Sequence, residues 1–280
     1  MKVLVLGHKG MLGSDLISIL GVSHDVTGKD IEDFDISSAR DCRGIILESG
    51  ADIVVNAAAY TDVDGCESNR EECFSVNAEG VKNVALTCKD RGIKNVHFST
   101  DYVFDGEKGS PYIEGDVCNP LSVYGESKLK GELYLRNILD NYILLRTAWL
   151  YGKNGNNFVR TILEKTRSVN KLEVVDDQVG SPTYTMDLAS AVKALIEGNY
   201  SGIFHVTNSG EGSWYQFAVK ILEYAGITDI KVEPIKSDGL VRKAVRPRYS
   251  VLSCRKFFNE TKVPLRSWQT ALSDYISKEV

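Results

Sequence analysis

Apolar runs of strand length alternate with segments of helical period through the first 150 residues of the chain. Near-continuous apolar runs predict strands at Lys2 to Leu6, Asp52 to Asn56, Asn95 to Ser99 and Tyr142 to Arg146, with a weaker one at His24 to Gly28. Between them, apolar positions at three- and four-residue spacing predict helices at Met11 to Leu20, Arg40 to Ser49, Val76 to Arg91 and Tyr124 to Asn137. Strands that are apolar on both faces and separated by helices imply a parallel sheet covered on both sides. The expected fold is α/β, a Rossmann-type doubly wound parallel sheet.

Beyond residue 150 the rhythm weakens. Strands are expected at Leu172 to Val175 and Gly202 to Val206, and helices near Phe158 to Ser168, Met186 to Glu197, Trp214 to Ala225 and Trp268 to Ser277. Four of the six prolines (Pro182, Pro234, Pro247 and Pro264) fall here, which indicates a smaller lobe built from long connections. The Leu172 strand and the Met186 helix are expected to return to the main sheet. Residues 1–150 with 172–200 then form the main domain, and 151–171 with 201–280 form a C-terminal lobe.

Composition removes some classes of partner. A net charge of -5 and a pI near 5.5 leave no cationic field for a nucleic-acid backbone. No stretch approaches the roughly 18 to 20 apolar residues of a membrane-spanning helix. The opening run stops at Gly7, with His8 and Lys9 following, and reads as a buried strand rather than a signal core. The six cysteines form no Cys-x-x-Cys pair, which suits reduced thiols in a cytoplasmic protein.

Three features carry chemistry. Gly7, Gly10 and Gly13 follow the first strand and open the first helix, where they allow a tight turn, close approach of a pyrophosphate and close helix–sheet packing. Asp30, after the second strand, is placed to bond a ribose hydroxyl, and its neighbour Lys29 to attract a 2'-phosphate, so NADH and NADPH both remain open. The small residues Ala57, Ala58 and Ala59 either admit an adenosine or simply pack tightly; Asp35 and Ile36 either reach the adenine or cap the next helix.

Tyr124 and Lys128 are i and i+4 on a predicted helix, so they share one face. A free phenol has a pKa of about 10 and is a poor acid–base group at neutrality; a nearby ammonium lowers it. Thr100 ends a central strand, where open parallel sheets present ligand-contacting groups, and its hydroxyl is placed to hold a substrate oxygen as charge develops. In this order the three features point to hydride transfer at a carbon bearing oxygen.

Ser99-Thr100-Asp101-Tyr102-Val103-Phe104-Asp105-Gly106, with Asn119-Pro120-Leu121-Ser122-Val123-Tyr124-Gly125 leading into Ser127-Lys128, resembles the dTDP-4-dehydrorhamnose reductase family of extended short-chain dehydrogenases/reductases. The resemblance continues in Asn56 to Asp64, Arg146 to Gly152, Gly155 to Phe158, Asp177 to Thr183 and Arg246-Pro247, nearly the whole chain. It implies reduction by NAD(P)H of the C4 ketone of dTDP-4-dehydro-beta-L-rhamnose. Tyr124 would be the proton donor, Lys128 would tune it and Thr100 would orient the ketone.

The same resemblance implies cofactor contacts at Gly10, Met11, Leu12, Asp30, Asp35, Ile36, Ala59, Tyr60 and Thr61. Asp101 and Trp149 would lie near the sugar, with core packing the other reading of Trp149, and Arg246 would pair with the substrate diphosphate unless it is a solvated surface arginine. Arg248, Tyr249 and Ser250 follow Pro247 where the family often has asparagine and serine. Some relatives bind a divalent ion such as Mg between subunits; Asp15 is the one clear acidic match here, which gives weak support to a metal or a homodimer. A non-catalytic relative resembling the methionine adenosyltransferase regulatory subunit, or an epimerase or dehydratase, are the alternative readings.

Overall fold

In a computed structural model describing residues 1–280, apolar side chains and backbone pairing together produce six parallel strands. Four of the five residues of β1 (Lys2–Leu6) are buried, as are all four of β3 (Ile53–Asn56) and all seven of β4 (Lys94–Thr100). With β2 (Asp25–Lys29), β5 (Tyr142–Thr147) and the Gly202–His205 strand they form one sheet. Its order is Gly202–His205, β5, β4, β3, β1, β2. The chain leaves β1 for β2 on one side and then crosses to β3 on the other, so β1 and β3 flank the switch point where open parallel sheets bind ligands.

Helices cover both faces. On one, Leu12, Leu16 and Leu20 of the Met11–Leu20 helix pack with Leu188, Val192 and Leu195 of the Thr185–Glu197 helix. On the other, Ile46, Val84 and Leu135 come from the helices Ala39–Ser49, Val81–Arg91 and Val123–Ile138. A separate core of Tyr151, Tyr184, Phe217, Trp268 and Tyr275 holds the smaller lobe. No helix is long and apolar enough to cross a membrane.

Two expectations are corrected. The Leu172 strand, which runs Lys171–Val175, does not return to the main sheet; it pairs in parallel with Lys231–Ile235 in a ribbon of its own. Its burial alternates, with Lys171 and Glu173 exposed and Leu172 and Val174 buried, as a strand with one covered face requires. The sixth strand of the main sheet is Gly202–His205, beside β5. The Met186 helix does lie on the main sheet. The helix expected from Val76 starts earlier, at Arg70, and passes through a π-helical turn, Ser75–Gly80, before Val81–Arg91. That wider turn turns Asn77 inward and brings its carbonyl against Gly131, where an added Cβ would lie 2.3 Å from the oxygen.

Candidate active site

The glycine loop is shaped by contacts that a side chain would break. Gly7 has a φ of 79°, and a Cβ there would sit 2.8 Å from the Ala58 nitrogen; at Gly13 it would sit 2.0 Å from the Gly7 carbonyl. The loop therefore lies directly on the turn after β3 and under the start of the Met11–Leu20 helix. No side chain caps that helix. Its N-terminus opens onto a cavity of about 580 Å³ lined by Gly10, Met11, Leu12, Gly13, Ala59 and Thr61. This glycine cradle beneath an uncapped helix fits a dinucleotide pyrophosphate.

A neighbouring cavity of about 310 Å³ gathers Gly7, Asp30, Asp35, Ile36, Ala59 and Tyr60, with Ile31 and Phe34 as apolar walls. The Asp30 carboxylate accepts hydrogen bonds from the Lys9 and Ile31 N–H groups at 2.7 and 2.9 Å, so it braces the glycine loop as well as facing the cavity. Lys29 lies 3.8 Å from Asp33. Asp35 does not cap the following helix: it accepts from the Ser37 N–H and hydroxyl, and Ser38 supplies the cap.

The larger cavity continues to Thr100, Asp101, Tyr124, Lys128 and Trp149. Ser122 caps the Val123–Ile138 helix by accepting from the Gly125 N–H, which fixes Tyr124 in its first turn and Lys128 one turn on. Lys128 is buried, and that burial lowers its ammonium to about 8 against the upward pull of Glu132, the next residue along the same face. The Tyr124 phenol is pushed above its ordinary value by burial and then by the charge of Asp101, with the Thr100 hydroxyl opposing. The spacing predicts that Lys128 lowers the phenol; in the free chain burial is the largest effect, and the phenol stays above its ordinary value.

Asp101 is buried and accepts two hydroxyl protons, from Thr100 at 3.0 Å and from Ser250 at 2.5 Å. Burial raises its carboxyl to about 6 while both hydroxyls hold it down. Ser250 thus has a role that the segment after Pro247 does not announce. Asn77 was equally silent in the sequence. Its amide donates to the Tyr60 carbonyl and to Ser127 Oγ, each at 3.0 Å, and its oxygen accepts from the Tyr60 N–H. Ser127 Oγ donates to the Tyr124 carbonyl at 2.7 Å, so one side chain ties the loop after β3 to the Tyr124 helix.

A third cavity, of about 410 Å³, holds Arg246 together with Arg242, Lys165, Tyr102 and Trp214. Arg246 is no free surface arginine: it grips both oxygens of Asp64, at 3.2 and 2.7 Å, and pulls that carboxyl down to about 2. Arg242 lines the same space without a carboxylate partner. Trp149 lines the large cavity and stacks on Trp214, so it is at once a packed residue and a cavity wall.

Asp15 is buried, with one carboxyl oxygen unpartnered and its pKa raised by burial, and no group of three or more His, Cys, Asp or Glu side chains is arranged to hold a metal ion. All six cysteines are free thiols.

Comparison with known proteins gives a consistent result. The family model for the RmlD substrate binding domain matches residues 1–280. A dTDP-4-keto-6-deoxy-D-glucose reductase of Streptomyces niveus is 38% identical over 272 residues, 96% of this chain and 94% of its own. The crystal structure of a dTDP-4-dehydrorhamnose reductase from Clostridium acetobutylicum superposes with a TM-score of 0.95 at 41% identity, covering 99% of each chain. That of a dTDP-4-dehydrorhamnose reductase from Bacillus anthracis in complex with NADP superposes with a TM-score of 0.96 at 34% identity, again over 99% of each.

Proposed function

The chain belongs to the RmlD substrate binding domain family, and from that membership we propose that it reduces the C4 ketone of dTDP-4-dehydro-beta-L-rhamnose to dTDP-beta-L-rhamnose with NADPH or NADH in the cytoplasm. The observation that carries this reading is a single cavity that begins at the glycine loop and ends at Thr100, Tyr124 and Lys128. In the adjoining cavity Arg242, Lys165 and Tyr102, with Arg246 held by Asp64 and with Glu173 nearby, leave an excess of cations and an aromatic wall for a nucleoside diphosphate.

The reduced nicotinamide supplies a hydride to C4. The chain's residues manage the accompanying proton and charge. Burial raises the Tyr124 phenol above its ordinary value, so at neutrality it keeps its proton and its O–H is available to pass to the C4 oxygen. Lys128 presents the only lysine ammonium on that cavity, favouring the phenolate that donation leaves behind. Thr100 gives its one hydroxyl proton to Asp101 in the free chain, so to orient the ketone oxygen that proton turns from the carboxylate, which Ser250 still holds from the other side, to the substrate.

The test mixes purified protein with enzymatically prepared dTDP-4-dehydro-beta-L-rhamnose and either reduced cofactor, and follows nicotinamide absorbance. Oxidation stoichiometric with the ketone is expected. No oxidation with either cofactor, despite demonstrated cofactor binding, overturns the reading. The same assay run against pH has a second expected outcome. Because the Lys128 pKa is lowered, its cation is present below about 8 and lost above it, so kcat/KM of the free enzyme falls as pH rises through that value. A profile flat to pH 10 would remove the Lys128 charge from the step.

A further inference from the structure

Trp149 is a bulky residue in the left-handed backbone region, with a φ of 49°. Such a conformation persists only where the surroundings over-determine it, and it concentrates at functional sites. Two neighbours do so here. Trp214 stacks on the indole with ring centres 3.5 Å apart and planes 8° from parallel. The backbone of Gly180 lies so close that an added Cβ would be 2.5 to 2.7 Å from the indole Cε2, Cζ2 and Nε1 atoms.

Trp214 is itself held firmly. It is the first residue of the Trp214–Tyr224 helix, whose start is closed by a reciprocal pair of hydrogen bonds between Ser213 and Gln216. Ser213 also donates to Asp176. Trp214 lines both the cavity that contains Tyr124 and the cavity that contains Arg242 and Arg246, whereas Trp149 lines only the first. The indole pair therefore stands where the two spaces meet.

We propose that Trp214 is a positioning residue: standing where the two cavities meet and stacked on Trp149, it holds that indole fixed as a wall of the sugar end of the site, and so sets the sugar's depth relative to Tyr124. This rests on the function proposed above. Trp214 acts through Trp149, because its own ring is turned onto the neighbouring indole. Without the stack, only the Gly180 backbone still holds Trp149 in its left-handed conformation, and the C4 oxygen loses its alignment with the phenol. Small misplacements of that kind cost on the order of tenfold to a hundredfold in turnover.

The test compares Trp214→Leu, Trp214→Phe, Trp149→Leu and the Trp149→Leu/Trp214→Leu double variant, each checked for wild-type NADPH affinity and thermal midpoint. Trp214→Leu is expected to lose roughly tenfold or more in kcat, with Trp214→Phe, which keeps a stacking ring, restoring most of it. The double variant is expected to be no worse than Trp149→Leu alone, since both changes remove one unit. Additive losses, or wild-type kcat and KM in Trp214→Leu, overturn the proposal. Should Trp214→Leu fail to fold, Trp214→Phe and Trp149→Leu carry the comparison: Trp149→Leu at wild-type kcat overturns it. Near-UV circular dichroism of the unmodified protein reads the indole pair independently of turnover, so an inactive wild type with the coupled-indole signal would sink the proposed reaction and not the stack.

Discussion

Replacing Tyr124 with phenylalanine is expected to lower turnover by about 10² to 10⁴-fold, the usual contribution of a positioned general acid, while the affinity for NADPH stays unchanged. The substitution removes one oxygen and keeps the ring, so the edge-to-face contact with Tyr102, with ring centres 6.0 Å apart, survives. The Ser127 bond is to the Tyr124 backbone carbonyl and is untouched. Lys128 keeps its place one turn along the helix. Besides the Lys128 ammonium, which is on the cavity in wild type and variant alike, the remaining candidate acid is Asp101, whose carboxyl at about 6 is mostly ionised at neutrality and whose oxygens already accept from Thr100 and Ser250. It is therefore a poor substitute donor above pH 6, and residual activity should rise as the pH is lowered through that value. Single-turnover oxidation of bound NADPH measures the chemical step, and fluorescence titration measures binding. Turnover within threefold of wild type would remove Tyr124 as the acid.

The sequence made β1 and the Met11–Leu20 helix legible to the residue, because their apolar spacing is set by burial on each side of the sheet. The residues expected to meet cofactor and substrate line three adjoining cavities, and most of them for a related reason: those from Gly7 to Thr61 and Thr100, Asp101 and Trp149 stand in, or next to, a loop that a strand end fixes in space, whereas Tyr124 and Lys128 are placed by the capped helix. What stayed hidden depends on pairing between distant segments. Ser250 meets Asp101 across 149 positions, and Asn77 meets Ser127 across 50. Neither partner has a local pattern that announces it. The Leu172 strand did carry a signal, since its alternating burial suits a ribbon with one covered face better than the centre of a parallel sheet. Its partner, Lys231–Ile235, contains Pro234, which masks it as a strand.

Replacing Glu132 with alanine is expected to destabilise the fold by about 3–5 kcal/mol, because it leaves a buried guanidinium without its counter-charge. Glu132 and Arg146 are both fully buried and joined by two parallel hydrogen bonds of 2.9 and 2.7 Å. The other groups bonded to Arg146, the Glu114 carbonyl, the Cys118 sulfur and His205, do not replace the paired carboxylate, and the Phe104 ring and the more distant Glu114 charge offset its loss only in part. His205 is held neutral, its pKa lowered to about 3 by burial and then by Arg146 itself. The helix carries the effect into the active site as well. Glu132 is the first of the groups that hold the Lys128 cation up against burial, so its loss moves the Lys128 pKa below about 8 and shifts the alkaline fall in kcat/KM to lower pH. At roughly 2–4 °C per kcal/mol for a chain of this size, the thermal midpoint should drop by on the order of 10 °C. Glu132→Gln keeps the shape and removes only the charge, and is expected to show the same shift of the pH limb with a smaller loss of stability. A midpoint within 2 °C of wild type, as roughly 1 kcal/mol or less implies, together with an unmoved limb, would mean that Arg146 is satisfied without Glu132 and that Lys128 is tuned from elsewhere.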